Sequence, residues 1–403
     1  MGGMTMKRYW KSILISLAIV VAIGSYYVQL AWASKNDVSF KIETISGNKE
    51  EIENRILQAS YQSGNINRWL YISKDGSTNR MNSSFLGGLI VPHEPLLFKN
   101  FIQEHRNFMR GKVWYPSMYF EDEARLMYTI FQDKGQRMDQ GNSWTLKIDI
   151  LDKNTNDSSS FEINTPVFEG YDWINVNNVY VENGKIKILA YAGYLKGGNE
   201  LHIYTVNENT RELEQDLMIA KIESGDIGMS NVHLFNDPNI IQNEKYYLYM
   251  VERYRDKTKG SKSEFISREI YLYNNLTNEV KEWIIPAELK SNLDSTVLYG
   301  ADIFIPVHST KSLVLNRYNI EKKQWEKPLN FEYPNNANEK EEPFFQLTDG
   351  KLYLVNRTSD GHLLVISDVH TGESLYEGKI TVENRENLDT DYSLYIGEIY
   401  NTY

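Results

Sequence analysis

Apolar and polar positions alternate through most of this 403-residue chain, in short runs separated by turn residues. Residues 345–380, FQLTDGKLYLVNRTSDGHLLVISDVHTGESLYEGKI, show the pattern most clearly. One apolar run ends at Asp349-Gly350, a second follows around Leu352 and Leu354, and a third begins after Ser359-Asp360-Gly361. Asp-Gly pairs of this kind are what tight hairpins require, so the stretch predicts four antiparallel strands. The same series recurs at residues 178–220, with turns at 182–184, 196–199 and 207–210, and again at 239–285 and 295–331. Residues 113–164 form a further, aromatic-rich unit, and 38–45 and 69–73 supply earlier strands. A hairpin series repeating every roughly 45–60 residues is the signature of propeller blades. The expected fold is therefore all-β, a β-propeller of about six or seven blades, with a β-sandwich pair as the competing arrangement. A lone strand at 392–399 follows the last complete unit. Its expected role is to pair with the first blade and leave no sheet edge open.

Two segments break the alternation. Residues 98–110 lack turn residues and carry Phe98, Phe101, Ile102 and His105 at helical spacing, which predicts a short helical insertion. At the N-terminus, Lys7, Arg8 and Lys11 precede an uncharged run from Ser12 to Ser34 with its apolar centre at residues 13–23. As a signal peptide it would be cut after Ala31-Trp32-Ala33. As an anchor, residues 13–33 have the length of a membrane span, and Tyr26, Tyr27 and Trp32 suit an interfacial belt. The apolar centre lies far ahead of Ala31, which favours the uncleaved anchor. Under either reading the positive charges stay inside and the body is extracytoplasmic. The expected division is residues 1–34 as anchor or signal peptide and 35–403 as the extracytoplasmic β domain.

Composition narrows the chemistry. There is no cysteine, which removes disulfides, thiolate metal sites, thiol nucleophiles and a lipid-bearing cysteine. Net charge is −11, and the basic N-terminal segment leaves −14 for the rest, so the body repels phosphate backbones and nucleic acid is not an expected partner. The seven histidines show no H-x-H or H-x-x-x-H spacing, and no metal or cofactor is expected. Neither G-x-S-x-G nor a phosphate-binding glycine loop occurs. Clustered acids at 335–342 and at Glu121-Asp122-Glu123 offer oxygen ligands to a hard cation, although the first run is most simply a solvated loop.

Acids at the starts of the repeating units are the candidate site residues: Asp122, Asp172, Asp237, Asp302 and Glu342. Asp172 sits between Tyr171 and Trp173, and Asp302 interrupts an apolar run, where a carboxylate must be paired. Residues 233–253, with Asp237-Pro238 followed by Tyr246-Tyr247-Leu248-Tyr249, resemble a blade opening of five-bladed propeller glycoside hydrolases. That resemblance covers about 20 residues and implies an inner-rim aspartate at Asp237. The family places the motif early, with a catalytic glutamate downstream; here it is mid-chain and no such acid follows. In architecture the whole chain resembles single-anchor envelope proteins of Bacillus-like bacteria.

Two functions follow as expectations. One is a membrane-anchored binding or scaffolding module whose partner is an envelope protein or glycan. The other is an envelope glycan hydrolase or lyase that uses Asp237, Asp172 or Asp302 as its carboxylates. The first is favoured, because no second acid motif pairs with Asp237.

Overall fold

The computed structural model describes residues 4–35, 38–64, 66–79, 96–137, 141–195, 197–223, 230–236, 241, 243–255, 264–309, 311–332, 343–383 and 392–401. The protein is all-β and of propeller type, with six small antiparallel sheets among these residues. It divides into two compact units, Met1–His93 with Tyr333–Tyr403, and Glu94–Glu332.

The second unit contains four sheets, each made from strands consecutive in sequence. The first runs Tyr119–Glu121, Arg125–Arg137, Gly141–Asp152, Ser158–Glu169, and the second Tyr171–Glu182, Lys185–Tyr194, Asn199–Asn207, Glu212–Ile222. The third is Asn231–Leu234, Tyr246–Arg255, Glu264–Asn274, Glu279–Glu282, and the fourth begins at Val297–Tyr299 and Asp302–His308. Helical turns Leu96–Glu104 and Arg106–Met109 bury Phe98, Phe108 and Met109 against Tyr119, Leu126 and Tyr128 of the first sheet. This is the insertion read from residues 98–110.

Central strands are buried on both faces, which explains their continuous apolar runs. In Tyr246–Arg255, Tyr247 and Tyr249 pack with Leu189, Leu201 and Ile203 of the second sheet. Tyr246, Leu248 and Met250 pack with Ile303 and Ile305 of the fourth. The Tyr-Tyr-Leu-Tyr run is thus a strand held between two neighbouring sheets, alternating its side chains between them.

A five-residue turn recurs between the last two strands of several sheets. It begins at Asp152, Asn207, Asn274, Asn319 and Asp368. In each, the side-chain oxygen accepts the backbone N–H three residues on, at 2.7–3.3 Å. The fifth residue has positive φ: Asn156, Arg211, Asn278, Lys323 and Gly372. The side chain satisfies backbone donors the strands cannot reach, so Asp or Asn is needed at the first position. The fourth residue is Thr at four of the five turns and Lys322 at the other.

In the first unit the two chain ends cross. Strand Phe40–Gly47 is the outer strand of the sheet that also contains Phe344–Thr348, Lys351–Thr358, Gly361–Asp368 and Ser374–Val382. Strand Ser393–Asn401 instead joins Arg55–Ser63, Ile66–Ser73 and Gly76–Asn79. The register runs from Arg55 opposite Asn401 to Gln62 opposite Ser393. The final strand therefore completes the first sheet, as its sequence position suggested, and the first strand extends the last sheet. Gln346 ties the two together: its Oε1 accepts the Ile399 N–H at 2.8 Å and its Nε2 donates to the Ile399 carbonyl at 3.1 Å.

Residues 4–35 form one 32-residue helix. Its described large side chains are solvent-facing, from Tyr27 at 49% to Val20 at 65% exposure. Among the described residues no helix is long and apolar enough to cross a membrane.

Candidate functional site

A cavity of about 220 Å³ lies between the second and third sheets of the larger unit. Its walls are Leu189, Leu201, Val232 and Leu234, and its polar groups are Asn177, Tyr191, His233 and Asn236. A β-bulge puts Asn177 there. In the pairing of Tyr171–Glu182 with Lys185–Tyr194, Asn178 opposes Leu189 and Val176 opposes Ala190, which leaves Asn177 as the extra residue. A bulged residue is freed from the ladder and re-aimed, a device found beside functional sites. The Asn177 Oδ1 is buried and has no hydrogen-bond partner. The Tyr191 hydroxyl is close to Val232 and Asn199, makes no hydrogen bond of normal geometry, and is pushed up in pKa by burial. Two buried polar atoms left without good partners would each cost about 1–3 kcal/mol unless a ligand or water completes them.

The other polar residues differ in role. Asn236 is fully engaged in the fold: its Nδ2 donates to the Tyr246 carbonyl at 3.0 Å and its Oδ1 accepts the Leu248 N–H at 3.0 Å. His233 is exposed at the rim, its ring edge-on to Phe235 at 4.9 Å. Asp237 and Pro238, immediately after this wall, lie outside the described residues, as does Glu342.

The remaining sequence candidates are spread over the larger unit. Asp172 is half-buried near the start of the strand that carries Asn177, and its backbone carbonyl accepts Asn142 Nδ2 at 3.0 Å. Asp122 sits in a turn, where Arg125 binds it through Nε at 3.0 Å and Nη2 at 2.8 Å. The same Arg125 reaches Glu208 at 2.7 Å, so Asp122 takes part in tying two neighbouring sheets. Asp302 is buried, accepting Arg317 Nη2 and Asn319 Nδ2, both at 2.7 Å. In this position it neutralises a guanidinium. Asp302→Ala leaves Arg317 without its partner and is expected to cost about 1.5–3 kcal/mol, read from the urea midpoint. A loss below about 0.5 kcal/mol would mean that the pair is dispensable to the fold.

Sequence reading passed over a second polar cluster. Glu200 and His202 are two apart on Asn199–Asn207 and so share a face, as the period of a strand dictates. Both are buried. His202 Nδ1 meets Asp216 Oδ1 at 2.6 Å and its Nε2 meets Glu200 Oε2 at 3.1 Å. Glu200 also accepts the hydroxyls of Tyr171 at 3.0 Å and Tyr194 at 2.8 Å, and pairs with Lys221 at 3.3 Å. Tyr204 stacks on the imidazole at 5.3 Å. Burial opposes the imidazolium, but the hydrogen bonds it donates to Asp216 and Glu200 outweigh this and raise His202 to about 9. Burial likewise opposes the Glu200 carboxylate, and His202, Tyr194 and Tyr171 overcome it, lowering Glu200 to about 2. The cluster is an ionised network built wholly from strands of the second sheet. Among the described residues no group of three His, Asp or Glu is arranged to hold a metal.

No protein-family profile and no curated protein matches the chain. Among solved structures, TolB from Acinetobacter baumannii is similar at 13% identity, over 82% of this chain and 64% of its own, with a TM-score of 0.30. The polysaccharide lyase Uly1 is similar at 10% identity, over 66% of this chain and 57% of its own, with a TM-score of 0.33. A GH32 β-fructofuranosidase from Bombyx mori is similar at 9% identity, over 70% of this chain and 78% of its own, with a TM-score of 0.28. The chain thus spans less than two thirds of the length of the first two. What the fold and cavity define is an all-β protein of propeller type with a small, partly polar recess between two sheets.

Proposed function

We propose that this chain is an extracytoplasmic binding or scaffolding module, held at the cell membrane by residues 13–33, and that the recess between its second and third sheets takes one side chain of an envelope protein. The carrying observation is the bulge-presented Asn177, whose buried Oδ1 has no partner, in a cavity of about 220 Å³. That volume is below the roughly 300–1,000 Å³ of typical small-molecule pockets and suits a single anchoring group. The described lining offers an amide, a phenol and an imidazole around aliphatic walls, the make-up of a recognition pocket. Glycosidic cleavage would instead require two carboxylates facing one bond. Of the proposed catalytic acids, Asp302 is engaged with Arg317, while Asp172 and Asp237 are left to carry the alternative reading of an envelope glycan hydrolase or lyase. The anchor reading rests on the basic residues ahead of an uncharged run and on the exposed apolar side chains of the first helix.

The test is affinity capture from detergent-solubilised membranes with the full chain as bait. One partner should be recovered by the wild type and lost on Asn177→Leu, whereas Asp172→Asn and Asp237→Asn should retain it. Capture that survives Asn177→Leu, or that needs either aspartate, would count against the recess. Fractionation tests the anchor separately: a mature chain beginning at Ser34 in the medium would show cleavage instead.

A further inference from the structure

A larger cavity of the same unit lies elsewhere, between the third and fourth sheets, and has a volume of about 510 Å³. It opens between two of the recurring turns, the one begun by Asn274 and the one begun by Asn319. Its size falls within the range of small-ligand pockets. Tyr246, Trp283 and Tyr318 line it. Trp283 and Tyr318 lie 5.5 Å apart, and Trp325 backs both, at 5.9 and 5.4 Å. Trp283 is 7% exposed, yet its Nε1–H has no hydrogen-bond partner. Buried indole N–H groups ordinarily find one.

The charges around this aromatic floor cancel. The lining contains three lysines and three glutamates. Lys245 pairs with Glu321 and lies 5.3 Å over the Tyr246 ring, and Lys281 pairs with Glu279 at 2.9 Å. A charged ligand would compete with these internal pairs. A neutral ligand with apolar faces and hydroxyl edges would not: its faces meet the aromatic rings, and its edges meet a ring of ready donors and acceptors. That is the surface chemistry of a saccharide ring.

We infer that this groove binds a neutral oligosaccharide unit against Trp283 and Tyr318. The site is separate from the Asn177 recess and extends the binding-module reading to a second ligand class. The experiment is isothermal titration of the full chain with three neutral tetrasaccharides, built from glucose by α- and β-linkage and from N-acetylglucosamine, and with a tetragalacturonate for comparison. At least one neutral sugar should bind saturably, with a Kd that changes less than twofold between about 0.05 and 0.5 M salt, because no ligand charge is there to be screened. Trp283→Phe, which removes the free N–H, should weaken binding. Since Trp283 belongs to a core cluster, Thr277→Arg supplies the independent variant. Thr277 is exposed at the groove's edge, and Lys322 holds the same turn position in the next sheet, so a long basic side chain is tolerated there. Thr277→Arg should reduce affinity about tenfold or more with an unchanged melting temperature. Absence of saturable binding by all three neutral sugars, binding untouched by Thr277→Arg, or preference for the tetragalacturonate would each overturn the assignment. None of these outcomes alters membrane capture through Asn177, so the two readings fail separately.

Discussion

Truncation after residue 391 should abolish cooperative folding of the unit built from the two chain ends, or lower its melting temperature by more than about 10 °C. The lost strand, Ser393–Asn401, buries Leu394, Ile396 and Ile399 in one cluster with Leu57, Ala59 and Tyr61. Three buried aliphatic side chains at about 1.5–3 kcal/mol each amount to roughly 5–9 kcal/mol, the size of a whole domain's stability. The ladder to Arg55–Ser63 goes with them, as do both hydrogen bonds of Gln346, which would be left without the backbone it reads. The bared edge of Arg55–Ser63 would also invite pairing with other chains. Thermal melts and size-exclusion profiles of the full chain and the truncated one decide the matter, with removal of residues 402–403 alone as the control. A truncated protein that melts within about 2 °C of the full chain would show that the terminal strand is an ornament and not a closure.

His202→Leu should cost about 3–5 kcal/mol, the usual penalty for removing one member of a buried ion pair. Glu200 would stay buried at 5% exposure, keeping only Tyr171, Tyr194 and Lys221. The pH dependence separates this network from simple loss of packing. His202 is raised from 6.5 to about 9 in the folded chain, so its contribution is complete below about pH 6.5 and disappears as pH rises through 9. Glu200 is lowered from 4.5 to about 2, so its contribution is complete above about pH 4.5 and disappears as pH falls towards 2. The network is strongest between those limits. Urea unfolding should show a wide gap between wild type and His202→Leu at pH 6 and a narrow one at pH 9.5. An equal gap at both values would mean that the imidazole acts by its volume alone. Asp216→Asn should cost less, because the Asp216 side chain is 28% exposed and water can replace its charge.

The alternation and the turn residues were readable without any coordinates. Asp349-Gly350 and Asn183-Gly184 have the positive φ values that a two-residue hairpin needs, at 52° and 72°, and at 51° and 71°. The recurring five-residue turn was equally present in the letters, as Asp or Asn followed three places later by Thr or Lys. A search for hairpins alone overlooks it, because it repeats at uneven intervals. Glu200-x-His202 was visible as a same-face pair, but nothing local says that the face is buried or that Asp216 stands across from it.

The sequence by itself determined the strands, their turns and the all-β class, because a period of two and a left-handed turn residue are properties of neighbours along the chain. Only the tertiary structure decided that Phe40–Gly47 joins Ser374–Val382, and that Arg55–Ser63 is the strand of the first sheet that takes Ser393–Asn401. Those pairings close loops of more than 300 residues, and any alternating strand has the backbone to accept any other, so the choice falls to how the sheets stack. The same holds for the sites. A bulge at Asn177 depends on a one-residue mismatch between two ladders, and the charge on His202 depends on which carboxylates burial brings to it. Both are set across strands, where a single sequence carries no record of who stands opposite whom.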